Sequence, residues 1–240
     1  MRANTADMAS YSRYGLILIQ GDDATSYLNA QLTRRVDNLA GGETGLASWC
    51  NAKGRALALF RITHAKEGYA LSLPARMIPL ILPRLKLFVL RSKVQIDQGP
   101  AMSVNHHDTR PAEILAGIPE IYPETTEQFL PQMLNLDQLG AIDFKKGCYP
   151  GQEIVARSQY LGQLKRRMYL FSSDTDELPV AGMSLSAGDD AKGTVVDAAR
   201  EENGRVLILA VIPIEAAGRA WRRADGGSSL KLLSLPYTLE

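Results

Sequence analysis

The stretch YGLILIQGDDATSYLNAQLT, Tyr14 to Thr33, decides the fold class. Tyr14 to Gln20 reads as a short buried strand, Gly21-Asp22-Asp23 as a turn and helix cap, and Ala24, Tyr27, Leu28 and Leu32 as one face of a helix. A strand leading straight into a helix thus opens the chain. Further on, Gly41-Gly42 breaks the chain before a strand from Gly45 to Cys50, and Lys53-Gly54 marks a hairpin turn. Ala56 to Thr63 and Tyr69 to Leu73 read as strands, an apolar helix with Pro79 and Pro83 near its start ends close to Leu90, and Lys93 to Asp97 is another strand. This order predicts an α+β fold, a mostly antiparallel sheet with packed helices.

From Gln98 to Pro123 the pattern weakens, punctuated by Gly99-Pro100, Pro111, Gly117 and Pro119. Phe129 to Leu139 and a helix after Gly151 carry apolar residues that can close over the first layer. Beyond Gly162 come strands at Arg167 to Phe171, Gly193 to Ala198, Val206 to Ile212 and Leu230 to Leu235, separated by Gly, Asp and Ser. That spacing predicts a small C-terminal β-barrel or sandwich. The expected division is an α+β region over 1–163, compressed around 98–123, and a barrel domain over 164–240.

With 240 residues, 45% hydrophobic and 22% charged, the chain has the composition of an ordinary globular protein. A formal charge of +1 gives no global reason to expect nucleic acid or an anionic membrane as a partner. Cys50 and Cys148 are far apart and make neither a disulfide framework nor a metal-ligand pattern, which fits a reducing, cytoplasmic setting. The start, MRANTADMASYSRYG, lacks an apolar signal core, and Met77 to Leu90 is interrupted by Pro79, Pro83, Arg84 and Lys86, so neither reads as an export signal or a span. His64, His106 and His107 form no metal set with either cysteine, and no metal is expected.

Chemistry concentrates in KKGCYPGQEIVAR, Lys145 to Arg157. Pro150-Gly151 marks a turn, and Gln152 onward has helical spacing, so Cys148 falls just outside a helix N-terminus. The helix dipole, Lys145 and Lys146 favour a thiolate there, while Glu153 opposes it. Two readings stay open: Cys148 is a reactive thiol with Lys146 as its stabiliser, or a small apolar residue in a Gly-Pro turn, as most cysteines are. Cys50 reads as packing.

The segment Gly117 to Arg167, with FLPQMLNLD (Phe129 to Asp137) upstream of the thiol turn, resembles the signature region of the YgfZ family of folate-binding proteins, which are related to the T-protein of the glycine cleavage system. The resemblance extends to Gly21–Thr33, Cys50–Phe60, Arg91–Val94 and the closing LPYTLE, Leu235 to Glu240. It implies α+β layers and a C-terminal barrel around a central tetrahydrofolate site. It also implies a role in assembling or maintaining iron–sulfur enzymes such as a tRNA methylthiotransferase. Two separated cysteines cannot supply the thiolate set of a resident cluster.

A reduced folate needs a surface for its pterin, partners for its amide-like edge and cations for its glutamate carboxylates. The resemblance offers Tyr14 for stacking, with a core tyrosine as the alternative, and Arg55 beside the hairpin, with a solvated arginine as the alternative. Gln132, Asn135 and Gln152 either read the pterin edge or brace the thiol turn. Glu153 and Arg157, spaced i,i+4, either face the cavity or form an exposed helix pair. Lys165, Arg166 and Arg167 make a basic cluster leading into the barrel. Leu115 stands where T-proteins carry a glutamate before their Ala-Gly pair, Thr109 near the place of a family aromatic, and Arg35 where an acid often precedes Val36. Between Pro74 and Leu90 there is no carboxylate. The interval from Val94 to Gly117 is shorter than in the family. T-protein-like one-carbon transfer is therefore the weaker expectation, and a partner-docking chain that has lost folate binding is a third.

Overall fold

The computed structural model describes residues 13–100, 109–160, 162, 164–175 and 177–239. Its first layer is a five-stranded antiparallel sheet in the order β2-β3-β4-β1-β5, built from β1 (Tyr14–Gln20), β2 (Thr44–Cys50), β3 (Ala56–Ala65), β4 (Gly68–Pro74) and β5 (Gln95–Gln98). Two helices, α1 (Ala24–Gln31) and α2 (Ile78–Leu87), pack with it, and the Tyr27 hydroxyl donates to the Leu85 carbonyl at 2.8 Å to join them. The helix expected to run to Leu90 stops at Leu87. Pro79 lies in its first turn, where a missing N–H costs nothing.

Every strand expected before Gln98 is present, to within two or three residues at the ends. Gly54 turns the β2–β3 hairpin at a φ of 70°. In the stretch without periodicity the structure has a short helix, α3 (Arg110–Leu115), followed by turns. His106 and His107 lie outside the described residues. Phe129 to Leu139 is a 3-10 turn over Pro131–Leu134 that ends at Asn135 in the left-handed region, φ 57°, a conformation asparagine tolerates better than most residues. The helix after Gly151 is α4 (Gln152–Tyr160).

The C-terminal strands close into a barrel in the order β10-β11-β6-β9-β8-β7: β6 (Arg166–Ser173), β7 (Ser184–Ala187), β8 (Ala191–Arg200), β9 (Val206–Pro213), β10 (Trp221–Arg223) and β11 (Ser229–Leu233). The sequence pattern missed β7 and β10, which are four and three residues long, too short to show an alternation. They are nonetheless the strands that complete the ring, since β10 joins β11 to β7. The unbroken apolar run of β9 follows from burial on both faces. Leu207, Leu209 and Val211 join the core shared with the sheet layer, while Ile208, Ala210 and Ile212 fill the barrel with Phe171 and Trp221. The barrel is thereby packed onto the first layer through a continuous apolar contact.

Candidate functional site

Where the barrel meets the sheet, the apolar seam gives way to a cluster of buried charges. Arg13 precedes β1, Arg61 comes from β3, Arg110 and Glu113 from α3, Glu120 from the turn after it, and Asp197 from β8. Arg110 is 1%, Glu120 1% and Asp197 3% exposed, so each charge must be offset within the protein. Arg61 holds Glu113 at 2.9 Å and Glu120 at 3.2 Å. Arg110 holds Glu113 at 2.8 Å and contacts Asp197, and Arg13 reaches Glu120 at 3.2 Å. Three cations therefore meet three carboxylates. The Tyr122 hydroxyl donates to Glu120 at 2.7 Å, accepts from Arg13 at 2.7 Å, and lies 3.2 Å from Asp197. Tyr14 donates to Glu113 at 3.3 Å with the Arg61 guanidinium 5.0 Å above its ring.

Burial and cationic neighbours divide the two deepest acids. Burial would raise the Glu120 carboxyl, but Arg110 and Arg13 outweigh it and hold it well below the usual glutamate range. Burial pushes the Asp197 carboxyl up against the pull of Arg110, and the Glu120 charge adds to the rise. Burial first, then the neighbouring carboxylates, raise both Tyr14 and Tyr122, so the phenols stay neutral.

A cleft of about 620 Å3 opens against this network. Arg13, Tyr122 and Asp197 form one wall with Arg76 nearby, and Pro74, Pro179 and Val180 supply apolar surface. The Arg13 Nε is buried with no hydrogen-bond partner among the described residues. A guanidinium on the wall of an apolar cleft is suited to an acceptor or anionic edge on a flat ligand. None of the residues that sequence reasoning assigned to folate lines this cleft, although Tyr14 belongs to the network behind it. Arg13, Arg61, Arg110, Glu113, Glu120, Tyr122 and Asp197 were missed. One signal was readable: an aspartate inside the apolar run VVDAA, Val195 to Ala199, can be buried in a strand only with a partner.

The thiol turn lies elsewhere, against the β2–β3 hairpin. Gly151, at φ 78°, fits because a Cβ there would come within 2.3 Å of the Asn51 carbonyl oxygen and 2.7 Å of the Gly54 nitrogen. Cys148 is exposed and lines none of the clefts described here. Lys146 is 8% exposed, and its ammonium donates to the carbonyl of Asn29, at 2.5 Å, and to that of Leu32, where α1 ends. Its hydrogen bonds thus satisfy helix carbonyls, in place of the expected sulfur. Burial lowers its pKa to about 8. Cys50 is buried, and burial raises its thiol to about 12.

The remaining expected residues surround this turn or the joint below it. Gln152 Nε2 donates to the Lys146 carbonyl at 3.4 Å, and Gln132 Nε2 to the Val155 carbonyl at 2.6 Å. Asn135 Nδ2 donates to the Met168 carbonyl at 2.8 Å and its Oδ1 accepts from Arg167, which also binds Asp137 at 2.9 Å. Arg55 Nη1 donates to the Gln128 carbonyl at 2.8 Å. Glu153 and Arg157 are both exposed, and their spacing produces no ion pair between them. Among the described residues, no group of three or more His, Cys, Asp or Glu could hold a metal ion, and no helix is long and apolar enough to cross a membrane.

Sheet layer, seam and closed barrel together define a T-protein-like fold. Aminomethyltransferase T of the glycine cleavage system from Bartonella henselae superposes with a TM-score of 0.73 over 94% of this chain and 84% of its own, at 14% identity. The chain belongs to the YgfZ family: it is 30% identical to the tRNA-modifying protein YgfZ of Aliivibrio fischeri strain ES114 over 83% of each chain. It is also 29% identical to the protein of that name from Aliivibrio fischeri strain MJ11, over 94% of this chain and 91% of the relative. An uncharacterized protein of Haemophilus influenzae is 31% identical over 96% of this chain and 98% of its own. No protein-family model matches the chain.

Proposed function

We propose that the protein binds tetrahydrofolate in the cleft beside Arg13 and acts as an accessory to iron–sulfur enzymes, including those that modify tRNA. The observation that carries this reading is the Arg13 side chain on the wall of a ligand-sized apolar cleft, about 620 Å3, where cavities that hold small molecules span roughly 300–1,000 Å3. Pro74, Pro179 and Val180 give a flat ring its apolar contacts, and Arg13 and Arg76 offer cations to the glutamate carboxylates. The name of the relatives, tRNA-modifying protein, supports the tRNA side of the proposal.

A one-carbon transferase needs a carboxylate free to serve the pterin nitrogen. Glu113, Glu120 and Asp197 are each committed to an arginine, which favours the accessory role over catalysis. Within this reading Cys148, on its exposed turn, is the thiol offered to a client enzyme. Gln132, Asn135 and Gln152 hold the turn and the joint in place, and Arg55, Glu153 and Arg157 belong to the surface beside them. Complementation of a strain defective in cluster-dependent tRNA methylthiolation tests the role: the intact chain restores the modification, and Arg13→Met restores much less. Full restoration by Arg13→Met would remove the cleft from the function.

A further inference from the structure

From Ala75 to Gln95 the chain carries five cations and no carboxylate. Within it, α2 buries Ile78, Ile81 and Leu85 and leaves a second apolar surface uncovered. Leu80 is 40%, Leu87 74%, Phe88 45% and Leu90 87% exposed. Leu90 also sits at φ 48°, a left-handed conformation that costs a leucine about 1–2 kcal/mol. Beside it lies an open hollow of about 710 Å3 lined by Asp23, Leu90, Arg91 and Ser92.

The rim of this surface carries both signs. Arg84 pairs with Glu127 at 2.9 Å, Lys86 with Asp97 at 3.5 Å, and Lys93 with Asp22 at 3.6 Å, all at exposed positions where such pairs contribute little. Arg91 is exposed and makes no ion pair among the described residues. An anionic lipid surface would meet the carboxylates as well as the cations, whereas an apolar centre within a mixed polar rim has the make-up of a protein interface. Opposite charges on one rim are also self-complementary about a two-fold axis. The outer strand β5 borders the patch through Asp97. Alignments to the relatives run over 263 to 299 positions against 240 residues here, so those proteins carry chain that this one lacks. The family resemblance puts that loss between Val94 and Gly117, directly after this loop.

We propose that the Leu87–Leu90 face is a two-fold interface between two copies of this chain. Leu90 of each copy enters the hollow of the other, Leu87 packs beside it, and Arg91 meets Asp22 of the partner subunit. A patch of four side chains is smaller than the ~800 Å2 per partner of a standard interface, so the dimer is a weak one.

Sedimentation velocity over a concentration series from about 1 µM to about 1 mM, the weak end of protein association, tests it. The intact chain is expected to pass from monomer to dimer, and Leu87→Glu/Leu90→Glu to stay monomeric with an unchanged circular dichroism spectrum. Arg91→Glu is expected to weaken association about tenfold, and adding Asp22→Arg to restore it through the reversed ion pair. A chain that stays monomeric throughout, or a dimer indifferent to the double leucine change, overturns the proposal. Binding of a monomeric chain to phosphatidylglycerol vesicles, lost in Leu87→Glu/Leu90→Glu, overturns it in favour of a lipid surface.

Discussion

The seam and the thiol turn use charge in opposite ways. At the seam, arginines and carboxylates from five separate segments neutralise one another in the interior, and Arg13 at its edge also lines a cleft. At the turn, the buried cation Lys146 is spent on the carbonyls that end α1, and the sulfur is exposed with no partner among the described residues. The first region turns its charges inward on one another. The second leaves its sulfur outward on a backbone fixed against the β2–β3 hairpin.

The largest effect should come from opening the seam. Arg110→Met takes from buried Asp197 its closest cation, while Glu113 keeps Arg61, and should cost about 3–5 kcal/mol of stability, read by urea denaturation. Should the loss stay below about 1 kcal/mol, the network is not a buried one in solution. Next is Gly151→Ala, which meets both a left-handed φ and the Asn51 carbonyl, and should cost about 2–3 kcal/mol in the same assay while leaving the seam intact.

Much of this architecture was legible in the residues, and the exceptions share a cause. Strands and helices with one apolar face announced themselves, from Tyr14–Gln20 through Val206–Ile212. The strands at Ser184–Ala187 and Trp221–Arg223 were hidden because ring closure, rather than local pattern, makes them strands. The thiol turn was found because its glycine and proline act locally. The seam was not, because Arg13, Arg61, Glu120 and Asp197 come together only after the barrel docks, and an isolated charge in sequence looks the same buried or solvated. Lys146 shows the converse: it was noticed for its neighbour Cys148, while its actual partners lie more than a hundred residues away.

Acid should sharpen the contrast. Because the folded Glu120 pKa is depressed, the stability it contributes is fully present above the unfolded glutamate value of about 4.3 and is lost as pH falls toward the folded one. Intact chain and Glu120→Gln should therefore differ most near neutral pH and converge as the medium is acidified, a trend that thermal melts across pH would reveal. A gap that widens on acidification would mean the sign is wrong. The smallest effect belongs to the turn: Cys148→Ala should change stability by less than about 0.5 kcal/mol. In the intact chain a thiol reagent should modify Cys148 quickly and leave buried Cys50 untouched until the protein unfolds.

Calorimetric titration with tetrahydrofolate, run in parallel on the intact chain, Arg13→Met and Cys148→Ser, addresses the functional account most directly. Saturable binding by the intact chain and by Cys148→Ser, with affinity at least tenfold lower for Arg13→Met, is the expected result. No saturable heat from the intact chain, or equal affinity in Arg13→Met, would contradict it.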